Sequence, residues 1–148
     1  MIETVEAMDV REVLRLIDAA VRESVASSDE DAAYLIDDIQ ESIDWWQQNP
    51  ETCMHLKYVD GGQIVGVILV KDYWNLVNLF VLPSKHGQGI GKRLFLAVES
   101  ACRDRSPRGK VQVNSSTNAV GFYKAIGFHQ SGPGRDRPGG CVPLEYEF

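Results

Sequence analysis

The chain contains no run approaching about 18 consecutive apolar residues, so no transmembrane helix and no membrane partner are expected. Cysteine is scarce. Cys53, Cys102 and Cys141 form an odd, widely spaced set with neither metal-ligand spacing nor a disulfide framework, so no metal site is expected and a reducing, cytoplasmic setting fits. Residues 1–8 carry Glu3 and Glu6 and lack a basic segment followed by an apolar one, so no secretory signal is expected. No segment repeats, and none is of low complexity. Lysine and arginine are absent between Glu23 and Leu56, where nine acids stand, including Asp29, Glu30 and Asp31. With a formal net charge of −6, this argues against a nucleic-acid partner.

What is present is ordinary for a globular domain. Apolar residues make up 44% and charged residues 24% of 148, which suits one domain spanning 1–148 and excludes wholesale disorder. The charge is unevenly spread, because eight basic residues and only three acids lie between Lys71 and Lys110. The acidic segment is expected either to be a solvated helix face or to steer a cationic substrate.

Apolar periodicity places the elements. Val10, Val13, Leu14, Ile17 and Val21 mark a first helix, with Asp9 and Glu12 spaced as a capping box. Leu35, Ile39, Ile43 and Trp46 mark a second, capped by Asp29 or Asp31 and stopped at Asn49-Pro50. Met54, Leu56 and Tyr58 then alternate with Cys53, His55 and Lys57 as a strand, and Asp60-Gly61 reads as a hairpin turn. The return strand over 64–70 is nearly all apolar, with Gly66 marking a bulge or a close approach, and a further strand covers 76–82. A glycine turn leads into a helix with the stripe Ile90, Leu94, Ala97, Val98 and Ala101. Val111 and Val113 lie on the next strand, followed by a short helix over 118–126 with Gly127 as its left-handed end. Phe128 opens a strand, 132–140 is a loop, and Val142, Leu144, Tyr146 and Phe148 alternate as an exposed last strand that could pair two copies. The order α-α-β-β-β-α-β-α-β-β describes an α/β protein with a mixed sheet.

The most informative stretch is His86-Gly87-Gln88-Gly89-Ile90-Gly91-Lys92-Arg93, between a strand and a helix. The amides of a helix's first turn have no intrahelical partners, and with the helix dipole they make an anion site. Glycines let a phosphate approach the backbone, and Lys85, His86, Lys92 and Arg93 add positive charge. The dinucleotide fingerprint fails because Lys92 stands where its last glycine belongs, and the nucleotide P-loop fails at His86 and Arg93.

Val81-x-Pro83 followed by His86-x-x-Gly89-Ile90-Gly91 resembles the acetyl-CoA loop of the GCN5-related N-acetyltransferase (GNAT) family, with His86 where Gln or Arg is usual. Asn118-Ala119-x-x-Phe122-Tyr123-x-x-x-Gly127-Phe128 resembles that family's late helix and following strand. Two blocks in order, with the right elements between them, extend the resemblance over essentially the whole chain. It implies the acyl-CoA N-acyltransferase fold: a mostly antiparallel sheet, splayed between its fourth and fifth strands, with helices on both faces. It implies acetyl-CoA as co-substrate, its pyrophosphate held by His86, Gly87, Gln88, Gly89, Ile90, Gly91 and Lys92. Leu79, Phe80 and Val81 would offer backbone groups to the pantetheine arm, Asn118 would hydrogen-bond it, and Tyr123 would sit at the thioester sulfur. The acceptor would be a primary amine, on a small molecule or a protein, attacking directly in a ternary complex.

That reaction needs a neutral amine, yet an alkylammonium of pKa near 10.4 is less than about 0.1% neutral at pH 7. It needs a donor for the developing oxyanion and a hydrogen bond to the leaving thiolate, which Tyr123 as general acid can supply. Many relatives carry a carboxylate on the strand after the hairpin. Here that strand reads Leu76-Val77-Asn78-Leu79-Phe80-Val81 and has none. Asp72 and His55 are candidate bases, Asn78 could orient the amine, and Tyr73-Trp74 could hold a cation. Without a base, the alternative is a non-catalytic acetyl-CoA-binding regulatory module on the same fold.

Overall fold

The first helix buries Val13, Leu16, Ile17, Ala20 and Val21, the set its spacing marks out, and spans Val10–Ser24 (α1) in a computed structural model that describes residues 1–148. The capping box expected from Asp9 and Glu12 does not form. Asp9 accepts hydrogen bonds from the Glu6 N–H at 2.8 Å and the Lys57 ammonium at 2.7 Å, while Glu12 accepts from the Ile64 N–H at 3.0 Å. Both acids thus tie α1 to the sheet, where buried donors have few other acceptors. Burial opposes ionisation of Asp9, but the bonds from Lys57 and Glu6 outweigh it and hold the carboxyl below its usual range. Helix α2 (Asp29–Gln48) is capped by Ser28, whose Oγ accepts from the Asp31 N–H at 3.1 Å, and not by Asp29 or Asp31. Those acids instead occupy its first turn, where the helix dipole favours them.

The strands are β1 (Ile2–Thr4), β2 (Cys53–Asp60), β3 (Gln63–Lys71), β4 (Asn75–Val81), β5 (Lys110–Ser115), β6 (His129–Gln130) and β7 (Val142–Glu147). Helix α3 (Ile90–Arg105) joins β4 to β5, and α4 (Val120–Ala125) precedes β6. One sheet runs β1-β2-β3-β4-β5-β7-β6, antiparallel except for β4 and β5. Three residues are too few to show a period, which is why β1 escapes the sequence pattern. The last strand is not exposed as expected, since β7 lies between β5 and β6 and leaves the very short β1 and β6 as edges. Asp60 pairs with Gln63, so the hairpin turn sits one residue later than expected, on Gly61 and Gly62 at φ +59° and +77°.

The sheet separates two halves of the core. Val13, Ile17, Ile43, Val67 and Leu69 pack beneath α1 and α2, and Ile68, Val70, Leu94, Phe95 and Val98 pack with α3 and α4 on the other face. The buried stripe of α3 is Ile90, Leu94, Phe95, Val98 and Cys102, whereas Ala97 is exposed and Ala101 half-buried. Phe95 wins over the alanines because its ring meets Phe128 at 5.2 Å and Tyr146 at 5.0 Å. Gly66 lets α3 lie close on β3, since a Cβ there would come within 2.9 Å of Ile90 Cγ2 and 3.0 Å of Leu94 Cδ1. A Gly66→Val variant should therefore lose about 1–3 kcal/mol by overpacking, read as a lowered midpoint in thermal or urea unfolding.

The feature that prepares a site is where β4 parts from β5. Only Asn75 with Gln112 and Leu76 with Val113 are paired. On the other side of β4, Val70 pairs with Leu76 and Leu69 with Asn78, which leaves Val77 as a bulge. Beyond it β4 stays on β3 as far as the Val81 and Gly66 pair, while its β5-facing edge has no ladder partner.

Candidate active site

At the end of β4 the chain turns through residues 82–89 into α3. Gly89 is the residue before the helix at φ +78°, and Gly87 stands at φ +81°. A Cβ at either would meet nothing within 4 Å, so their backbone is open to solvent on that side. The first helical hydrogen bond runs from the Arg93 N–H to the Gly89 carbonyl, leaving the amides of Ile90, Gly91 and Lys92 without helical partners. Ile90, 4% exposed, anchors the turn to the core. Of the flanking bases, Lys85 pairs with Asp60 at 3.3 Å, Arg93 donates to the Tyr58 hydroxyl at 3.1 Å, and His86 donates through Nε2 to the Val81 carbonyl at 3.0 Å. Lys92 is exposed and unpaired. His86 thus braces the end of β4 with the nitrogen that could have reached a phosphate.

Helix α4 leans on this turn. A Cβ on Gly91 would lie 3.1 Å from the Phe122 ring, so glycine is required by close approach there. The next residue, Tyr123, is 5% exposed and sits edge-to-face with Phe122 and Phe128, each at 5.2 Å. Burial pushes its phenol well above the ordinary value, so it remains a proton donor throughout the neutral and mildly alkaline range. Asn118 is exposed and its Nδ2 donates to the Ser24 carbonyl at 2.6 Å, tying the start of the α4 segment to the end of α1. Leu79 and Val81 face α3 and α4, while Phe80 faces α1 and α2. The turn thus continues the splayed strand edge, with α4 seated on it through Phe122 beside Tyr123, and these residues fit a phosphate-bearing thioester with an extended amide arm: glycines leave room, free amides supply donors, and an unpaired edge can accept a strand-like ligand.

Other expectations fare differently. Asp72 is exposed at φ +53° in the β3–β4 turn, five residues before the bulge, and its amide donates to the Thr52 carbonyl. Tyr73 and Trp74 each already carry an arginine of this chain over one ring face. Arg105 covers the Tyr73 ring at 4.7 Å and donates to its hydroxyl at 2.7 Å, and Arg108 covers Trp74 at 3.5 Å. Asp29 is fully exposed, with Arg22 3.5 Å away. His129, Glu145 and Glu147 bring ligand atoms within 4.8 Å of one another beyond β5, but the Lys110 ammonium already engages Glu145 at 2.9 Å. A surface cleft of about 400 Å³ along α1, lined by Met8, Arg11, Arg15 and Leu82, touches the turn only at its first residue and contains none of the glycines. The Val77 bulge carries no sequence signal, since a valine in an apolar strand is unremarked. Asn78 does carry one, as the lone polar residue among Leu76, Val77, Leu79, Phe80 and Val81.

Comparison with known proteins agrees with this geometry. Residues 23–145 match the profile of a GNAT acetyltransferase domain. Over 84 residues the chain is 38% identical to the peptidyl-lysine N-acetyltransferase YjaB of Salmonella typhimurium, covering 56% of this chain and 54% of that relative. The match therefore spans about half the length of the curated relative. The PaiA N-acetyltransferase of Thermoplasma acidophilum, solved in complex with coenzyme A, superposes with TM-score 0.75 at 19% identity, covering 100% of this chain and 98% of that one. A GCN5-related N-acetyltransferase structure from Rhodopseudomonas palustris superposes with TM-score 0.80 at 18% identity, covering 100% and 95%.

Proposed function

This chain belongs to the GNAT acetyltransferase family, and from that premise we propose that it is an acetyl-CoA-dependent N-acetyltransferase acting on a primary amine in a ternary complex. The observation that carries the reading is an open glycine turn at the end of an unpaired β4 edge, with α4 packed on that turn through Phe122, the neighbour of the buried Tyr123. When bound, acetyl-CoA supplies an activated acetyl thioester. The amides of Gln88, Gly89, Ile90, Gly91 and Lys92 hold its pyrophosphate at the α3 N-terminus, with Lys92 adding charge. Gly87 gives the turn its handedness, and His86 keeps Val81 in place. The free edge of β4 at Leu79 and Val81 would pair with the pantetheine amides, whereas Phe80 directs its backbone groups to Val67 of β3 and the Val81 carbonyl already accepts from His86. Asn118 would exchange its bond to Ser24 for one to the arm. Tyr123 stays protonated where a thiol of pKa near 8.5 ionises, and so hydrogen-bonds the leaving thiolate.

The absence of a carboxylate on β4 favours one second reading, a non-catalytic acetyl-CoA-binding module. Thiol release separates the two. With acetyl-CoA and a panel of amines, including the protein lysine in the Salmonella relative's name, release with at least one amine is expected. Saturable coenzyme A binding without release by any amine would establish the binding module instead.

A further inference from the structure

Cysteine spacing gives no metal pattern in this chain, but histidine and carboxylate ligands can be gathered by a sheet without one. In the β6–β7 ladder His129 stands opposite Glu145. Glu147 shares the face of Glu145, because side chains alternate along a strand. Val111, Val113, Leu144 and Tyr146 turn toward α3 and α4. Lys110, Gln112, Glu145, Glu147 and His129 therefore lie on the opposite face, away from Tyr123. His129 and Glu147 are exposed and Glu145 is half-buried, so the set opens to water.

One ligand atom from each of His129, Glu145 and Glu147 lies within 4.8 Å of the others, and His129 Nε2 is 3.9 Å from a Glu147 oxygen. Tetrahedral ligands about 2.1 Å from a zinc ion stand about 3.4 Å from one another. The three side chains must therefore close by at most about 1.4 Å, which surface rotamers on a fixed ladder can do. A cation already rests against them. Lys110 on β5 is opposite Glu147 in the ladder, yet its ammonium reaches across to Glu145 at 2.9 Å. One ammonium against two carboxylates leaves the imidazole beside a net negative charge. A divalent ion adds the missing positive charge and accepts the imidazole lone pair, while a released Lys110 turns to water. The donor set also selects the ion. One imidazole with two carboxylates suits Zn²⁺, whereas Mg²⁺ and Ca²⁺ take oxygen ligands, and more of them.

We propose that His129, Glu145 and Glu147 form a Zn²⁺ site, with water completing the shell, that clamps the short edge strand β6 onto β7. Strand β6 has only 2 residues and follows Phe128, whose amide donates to the Tyr123 carbonyl at 3.0 Å. The clamp thus secures the chain just after α4. It stands on the sheet face away from Tyr123, takes no part in acetyl transfer and is independent of that reading.

The test is calorimetric titration of the purified, metal-stripped chain with Zn²⁺ alone, with Mg²⁺ and Ca²⁺ titrated in parallel. The three cysteines are buried, so the folded chain does not offer them as competing ligands. Saturable one-to-one binding of Zn²⁺ is expected, and the ring resonances of His129 should move in step with the heat. His129→Gln and Glu147→Gln alter exposed side chains, and each should weaken binding about tenfold or more, as losing even an outer contact to a metal ligand does. Lys110→Met removes the competing ammonium and should tighten binding about threefold, the worth of an exposed ion pair. A merely structural role for Lys110 would not tighten it. No saturable Zn²⁺ binding by the parent, an equal response to Mg²⁺ or Ca²⁺, or undiminished Zn²⁺ binding in His129→Gln would overturn the site and leave these residues a solvated polar face.

Discussion

A Tyr123→Phe variant is expected to bind acetyl-CoA as tightly as the parent and to turn over about 10²-fold more slowly. The ring packs on Phe122 and Phe128, and phenylalanine keeps those contacts. What is lost is one hydroxyl, which burial holds in its protonated form. Positioned acids contribute about 10²–10⁴ to rate, and the lower end applies because a thiolate is already a fair leaving group. Since the loss falls on bond breaking, kcat should drop while the acetyl-CoA dissociation constant stays put. The check is single-turnover kinetics beside calorimetric binding. Unchanged single-turnover rates across pH 6–9 would remove Tyr123 from the reaction.

The second large effect concerns the turn. Gly89→Leu places a side chain at φ +78°, a conformation costing an L-residue about 1–2 kcal/mol. The space around it is open, so the fold should survive. The new side chain stands beside the free amides of Ile90, Gly91 and Lys92 and denies a phosphate its approach. Acetyl-CoA at 100 times its dissociation constant should stabilise the parent by about 2.7 kcal/mol, and that rise in melting temperature should vanish in Gly89→Leu. Lys92→Ala, which removes charge but leaves the amides open, should weaken binding without abolishing it. A full thermal shift in Gly89→Leu would show that the turn does not hold the phosphates.

How much of this could be read from residues alone follows from how far each feature reaches along the chain. The helices and long strands were legible because burial on one face imposes a period, as in Val13, Leu16, Ile17 and Val21 of α1. The glycine turn was legible because alternating glycines between a strand and a helix are a local pattern and Gly89 meets a local demand, a left-handed backbone, whereas the approach of Phe122 to Gly91 shows only in the fold. Features made by distant partners were not. Asp9 and Glu12 look like a local cap, yet bind Lys57 and Ile64, 48 and 52 residues away. Tyr73 and Trp74 look free until Arg105 and Arg108 are brought onto their rings. His55 and Asn78 lie buried without hydrogen-bond partners, and nothing in either residue's neighbours says that Leu69 will stand between them in one row of the sheet. Asn118 stands in a block that resembles a coenzyme-binding motif, but its bond to Ser24 spans 94 residues and depends on the packing of α1 against the start of the α4 segment.

The most direct measurement is calorimetric titration of the purified chain with acetyl-CoA, with Gly89→Leu titrated in parallel. Saturable one-to-one binding by the parent, lost in the variant, is the expected result. No heat and no thermal shift in the parent at millimolar acetyl-CoA would contradict a coenzyme A site at this turn, and with it the acetyltransferase function.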